Sequence, residues 1–254
     1  MLHYKTPRDA FPTMCSNYRP VTRIDHLLTF FGVERDSKEA PPDLDMWPLG
    51  LAPFIRLHED GSGNKVIDDG RFGLLPAFTK ELAFGRKTYN ARSETVATKP
   101  SFRDSWKRGQ RCIVPAEWVY EPCYESGVAV RTRVQKGDAS PMGIAGIYSQ
   151  WTSPEGAKSW SFAMLTVNAA GHPIYERLHA PGDEKRMVVI LEPGDYDRWL
   201  KCSVEEATTF FKQWTGPLEM FADAAAARRP KPPKPPKPEA PPPAPKPGTG
   251  DLFS

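Results

Sequence analysis

Met14-Cys15 is the pair in this chain whose side chain and position could do chemistry together. Clipping a methionine that precedes a small residue exposes a cysteine with a free α-amine. That amine has a pKa of about 7.7–8 and the thiol one of about 8.5, so both are partly nucleophilic near neutral pH. An aminothiol of this kind condenses with aldehydes: the amine forms a Schiff base, and the thiolate closes a five-membered thiazolidine. An unpaired cysteine also serves as a small buried hydrophobe, and Cys15 alone does not choose between the two.

Further along lie polar groups suited to assist such a reaction. The block Tyr89-Asn90-Ala91-Arg92-Ser93-Glu94-Thr95 is too polar for a core strand and has the composition of a site. Asn90 brings two donors and an acceptor that can hold an amine or a sugar, or it ends a strand as a turn residue. Arg92 brings a planar fork that fits a phosphate, or it pairs with Glu94. Glu121 sits between Tyr120 and Pro122, where partial burial would raise its pKa toward a range useful for moving protons; an exposed loop carboxylate is the alternative. His179 titrates near neutral pH and can give a proton to a sugar oxygen, or it is an idle loop residue. His172, in a Gly-His-Pro turn, reads as structural.

The elements that must position these groups read as follows. The 254 residues carry 28 prolines and a net charge of +3, a mild basic balance that permits a polyanionic partner without requiring one. Residues 1–13 read as a leader, residues 14–222 as one domain, and 223–254 as a disordered Pro/Lys-rich tail. Ile24, Leu27, Leu28 and Phe31 predict a helix closed by Gly32, with Thr22 and Asp25 as its capping signal. Ser101 is the expected cap of a short helix burying Phe102 and Trp106. Ser203 with Glu206 predicts a capping box for a last helix. Strands are expected at 53–57, 111–115, 128–134, 142–151, 161–167 and 187–191. Many strands and few helices predict an α/β (α+β) chain with a mostly antiparallel mixed sheet curled into a barrel and peripheral helices. Cys15, Cys112, Cys123 and Cys202 have neither zinc-site nor disulfide spacing, so neither a metal nor a cofactor is expected. Without a signal-like leader or a long apolar run, the expected location is cytoplasmic, with no membrane contact and a monomeric state.

Met14-Cys15, Asn90-Ala91-Arg92-Ser93-Glu94-Thr95, Arg111-Cys112-Ile113-Val114-Pro115-Ala116 leading to Tyr120-Glu121, Gly143-Ile144-Ala145-Gly146-Ile147-Tyr148, and His179 ahead of Arg186-Met187 form an ordered series. It resembles the SOS response-associated peptidase (SRAP) family over residues 14–221. The resemblance implies a barrel-like fold and a basic groove for single-stranded DNA. It further implies that Cys15, as the mature N-terminal residue, captures the aldehyde of an abasic site as a thiazolidine crosslink, with Asn90, Glu121 and His179 as catalytic partners and Arg92 on the DNA backbone. Three departures stand out. Ser16 and Asn17 replace a usual Gly-Arg, Phe72 and Phe78 stand where the family often has tryptophan, and Ala180 to Lys185 fill a stretch where one residue is typical. Phe72 and Phe78 are either stacking platforms for bases or core residues.

Two other classes of function compete with the crosslinker. One is a cysteine peptidase, or a self-processing peptidase, that uses Cys15 with His179. The other is a noncatalytic interaction protein working through its tail. Proline from 230 to 247, interrupted by Lys231, Lys234, Lys237 and Lys246, predicts a semi-rigid spacer about 50 Å long. Asp251-Leu252-Phe253 beyond it is similar to peptides that dock on the bacterial sliding clamp, a partner that would bring the protein to the nucleoid.

Overall fold

A computed structural model describes residues 17–36 and 44–223. Cys15, residues 1–13, read as a leader, and Asp251-Leu252-Phe253 lie outside them. The strands are β1 (Asn17–Pro20), β2 (Leu51–Leu57), β3 (Lys65–Phe72), β4 (Asn90–Arg92), β5 (Arg111–Cys123), β6 (Val130–Lys136), β7 (Met142–Thr152), β8 (Lys158–Asn168), β9 (Arg186–Val188), β10 (Ile190–Leu191) and β11 (Leu218–Ala222). Five close a ring: β7 pairs with β8, β8 with β3, β3 with β2, β2 with β5, and β5 returns to β7. Only β3 and β4 run parallel to their neighbour β8; the other pairings are antiparallel. The expected α+β architecture with a curled, mostly antiparallel sheet is the one observed.

β5 is the strand that links the barrel to the site. Its first half, Arg111 to Ala116, pairs with β7, and its second half, Val119 to Cys123, pairs with β6. β1 takes the opposite edge, with Asn17 across from Tyr120 and a shift in register between Arg19 and Pro20. β11 then extends the sheet from β6. The alternation of strand side chains puts Val119, Glu121, Thr132 and Val134 on the buried face of this ribbon and Trp118, Tyr120, Arg131 and Arg133 on the outer one.

Aromatic rings fill the barrel. Phe54, Phe72 and Phe162 are fully buried and stack with centroids 5.5 and 5.7 Å apart. Burying one such ring contributes about 1.5–3 kcal/mol. Cys112, Cys123 and Cys202 are free and buried among these elements.

The helices are short: α1 (Ile24–His26), α2 (Arg103–Lys107), α3 (Tyr196–Lys201) and α4 (Val204–Ala207). α1 opens at the predicted place, but its continuation Leu27–Phe31 is a π-type turn. The wider turn aligns Leu27 with Phe31 in the core and swings Leu28 outward, leaving it 51% exposed. Neither α1 nor α2 has a side-chain cap, so Thr22 and Ser101 do not perform the role expected of them. Ser203 does: its Oγ accepts the Glu206 backbone N–H at 3.1 Å. Among the described residues no helix is long and apolar enough to cross a membrane.

Candidate active site

Glu121 and His179, 58 positions apart in sequence, meet inside the protein. Glu121 is on the buried face of β5 and only 2% exposed, not the partly buried corner its sequence neighbours implied. His179 is also 2% exposed and takes a left-handed backbone, φ 63°, a region in which histidine is enriched among non-glycine residues. Its backbone N–H donates to the Pro122 carbonyl at 2.7 Å, and the Cys123–Leu178 bridge adds a second tie to the end of β5. The ring nitrogen Nε2 lies 2.9 Å from the Arg186 carbonyl. A carbonyl can only accept, so Nε2 carries a proton, and Nδ1 faces Glu121 Oε2, 3.8 Å away. Burial pushes the His179 pKa below its ordinary value; the Arg186 hydrogen bond works against this and the nearby Lys185 charge adds to it.

A chain of ion pairs leads from this couple to the surface. Arg186 is buried, and its guanidinium binds Glu94 at 2.9 and 3.0 Å, Glu184 at 2.8 Å and the Thr166 carbonyl at 2.7 Å. Glu184 then reaches Arg92 at 2.8 Å. The alternative partner considered for Arg92, Glu94, belongs to Arg186. Glu184 comes from the stretch Ala180 to Lys185 that lengthens this loop, and Lys185 donates back to the Leu178 carbonyl at 2.6 Å, bracing the His179 turn. Asn90 and Arg92 are two apart on β4 and so share a side of it, Asn90 buried and Arg92 exposed.

Phe72 and Phe78 part company. Phe72, read as a possible base-stacking ring, is a core residue: it has no exposed surface and packs edge-on against Tyr18 at 5.1 Å and near Tyr89 at 5.6 Å. It ends β3 pointing into the barrel and cannot reach a base. Phe78 is 57% exposed, edge-on to Phe84 at 5.6 Å, in a loop held by the Trp151 indole donating to the Thr79 carbonyl at 2.8 Å. The exposed Arg86 and Lys87 follow in the turn Leu82–Lys87. The two segments touch through backbone: a Cβ on Gly73, whose φ is 128°, would run into the Gly85 carbonyl. His172 is structural, as read: Nε2 contacts the Trp214 carbonyl at 2.9 Å while Nδ1 accepts the Ile174 N–H at 3.2 Å.

Sequence reasoning passed over the residues that anchor β1 near its start. Asn17 Nδ2 donates to the Met46 carbonyl at 3.1 Å, and Arg131 Nε donates to Asn17 Oδ1 at 2.9 Å. The same guanidinium holds Asp45 at 2.6 Å and lies 3.3 Å from the Tyr120 ring centre. The signal was the alternation Arg131-Thr132-Arg133-Val134, a half-exposed strand with one charged face. Among the described residues no group of histidine, cysteine and carboxylate side chains could hold a metal ion.

The family described as SOS response associated peptidase (SRAP) matches residues 14–224. The chain belongs to this family. A relative from Bacillus subtilis (strain 168), abasic site processing protein YoqW, is 28% identical over 190 residues, covering 74% of this chain and 80% of that protein. Abasic site processing protein HMCES of Mus musculus is 28% identical over 171 residues, covering 53% of this chain and 48% of its own length. A solved structure from Bordetella bronchiseptica superposes with a TM-score of 0.75 at 35% identity, covering 82% of this chain and 99% of that one. One from Bacteroides thetaiotaomicron, with a TM-score of 0.70 at 21% identity, shares the fold.

Proposed function

We propose that this SRAP chain binds single-stranded DNA and captures abasic sites covalently through Cys15, exposed as the first residue of the mature protein. The observation that carries the reading is the place where β1 starts. Asn17 lies across from Tyr120, one residue from Glu121 and its partner His179. Cys15 is two residues upstream of Asn17 in the sequence. The names of the relatives point to the same substrate.

In the ring-opened sugar of an abasic site the C1′ aldehyde is the electrophile. The Cys15 amine adds to C1′, the carbinolamine loses water to give an imine, and Sγ adds to the imine carbon as the nitrogen takes a proton. The sum is aldehyde plus aminothiol giving thiazolidine plus water. Glu121 and His179 move the protons, His179 serving as a neutral base because burial disfavours its charged form. Asn90 holds the sugar or the amine, Arg92 takes a phosphate after leaving Glu184, and the exposed Phe78 stacks on a base. The tail is a tether whose Asp251-Leu252-Phe253 docks on a sliding clamp, a claim that fails if the 230–254 peptide and its Leu252→Ala, Phe253→Ala variant bind purified clamp equally or not at all.

Single-stranded DNA with one abasic site tests the chemistry. Protein beginning at Cys15 is expected to give an adduct that survives denaturation, and Cys15→Ala none, while the variant still binds DNA. Protein with residues 1–14 attached is expected to be inert, because the nitrogen that must attack is tied up in a peptide bond. An adduct from Cys15→Ala would place the nucleophile elsewhere. No adduct but retained peptide cleavage would favour a self-processing peptidase built on Cys15 and His179.

A further inference from the structure

Along the outer face of the β1–β5–β6–β11 ribbon, guanidinium groups and aromatic rings alternate. Arg131 lies between Tyr120, at 3.3 Å, and Trp47, at 5.7 Å. Arg133 lies between Trp118, at 4.9 Å, and Phe221, at 4.8 Å. The rings at the two ends are open to solvent, Trp47 at 53% and Phe221 at 41%. Each of these two exposed rings sits next to a guanidinium.

The charges on this face are not equivalent. Arg131 is neutralised by Asp45 and Asp223. Arg133 makes no ion pair among the described residues, and its buried Nε has no hydrogen-bond partner there. It faces a cleft of about 210 Å³ between Tyr120 and Phe221, with Ala222 and Asp223 on the wall; the Asp223 carboxylate is already held by Arg131. A charge left over beside two rings suits a phosphate with bases on either side of it.

We propose that this outer face is a track for the unpaired strand flanking the lesion, with one base on Trp47, one on Phe221 and a phosphate on Arg133. The inference rests on the DNA-binding reading above and extends it to residues outside the proposed reaction centre. The track reaches the start of β1, because Arg131 also binds Asn17, and Met46, the neighbour of Trp47, accepts from Asn17. Stacking on a ring tolerates any base, so the track adds affinity without choosing sequence.

The test compares a short oligonucleotide confined to the lesion with one extended on both sides, using protein that begins at Cys15. Extension is expected to tighten noncovalent binding of a reduced, unreactive lesion analogue by the wild-type protein. Trp47→Ala and Phe221→Ala are each expected to remove about fivefold or more of that gain, the equivalent of about 1 kcal/mol per stacked base. Trp47→Phe should restore most of the loss. Arg133→Gln is expected to flatten the salt dependence of binding to the extended strand. Adduct yield on the short oligonucleotide at saturation should be the same for all of these variants. Equal binding of the extended strand by wild type and the Trp47→Ala, Phe221→Ala double variant, with thermal unfolding unchanged, would overturn the track and leave the crosslinking reading intact. Loss of extended-strand binding in the double variant, in a protein that forms no adduct at all, would support the track and overturn the chemistry.

Discussion

The two faces of β5 set opposite conditions for charge. On the inner face Glu121 meets His179 out of contact with water, and each is 2% exposed. On the outer face, beginning one residue away, Tyr120 and Trp118 carry partly exposed arginines whose pairs with Asp45 and Asp223 are partly solvated. Both side chains are shielded from solvent there, and for His179 that shielding disfavours the charged form. These partly solvated pairs add little to stability, and Arg133 on the same face makes no ion pair among the described residues, which leaves it available to a ligand. A strand repeat of two lets one segment serve both needs, so inner-face changes should alter rates and outer-face changes should alter affinity.

The sharpest way to break this division is Glu121→Gln. It is expected to slow adduct formation by about 10²- to 10⁴-fold while DNA affinity stays within about twofold; a rate near wild type in single-turnover crosslinking would remove Glu121 from the proton path. His179→Asn comes next, asparagine being chosen because it tolerates the left-handed backbone. Burial lowers the folded-state pKa of His179, so below about pH 6.5 the unfolded chain binds more protons than the folded one. The stability this contributes is fully present above that pH and is lost as pH falls through the lowered folded value. Thermal unfolding should therefore weaken less on acidification in His179→Asn than in wild type; identical pH profiles would show that His179 is not the group responsible.

Glu184→Gln is a smaller effect of opposite sign. Releasing Arg92 from its ion pair is expected to raise DNA affinity about two- to fivefold at low ionic strength, with the gain fading in high salt. Weaker binding by this variant would mean that Glu184 orients Arg92 for its ligand. The smallest effect belongs to the outer face: Arg19→Gln removes the Arg19–Asp45 pair and should change unfolding free energy by about 1 kcal/mol or less.

The parts of the fold that were legible in sequence are those in which pattern and burial coincide. β7 and β8 come from long apolar, β-branched runs bounded by turn residues, and Ser203 with Glu206 marks a true helix start. β3 escaped because Asp68, Asp69 and Gly70 break the apolar pattern; the two carboxylates fall on opposite faces of the strand and pair with Arg56 and Arg35. β4 escaped because Asn90 and Arg92 look like loop residues, although Asn90 and Ala91 are buried against β8. Phe72 and Phe78 belong to one short block, and only the end of β3 separates a core ring from an exposed one. Glu121 and His179 were both candidates, but their pairing depends on a turn tied to the end of β5, which no local pattern encodes. Trp47 follows a run of prolines and acidic residues and gives no period to read.

The backbone contact between Gly73 and Gly85 has a dynamic corollary. Leu74 N–H bonds the Thr88 carbonyl at 3.2 Å, and the Thr88 hydroxyl returns a bond to the Leu74 carbonyl at 2.7 Å, closing the same seam from its other side. The loop that carries Phe78 and the turn that carries Arg86 and Lys87 therefore open together or not at all. In hydrogen exchange Gly73→Ala should speed both the amide of Leu74, which bonds across the seam, and that of Thr88, which closes its turn on the Gly85 carbonyl, while the amides of β7 and β8 keep their pace.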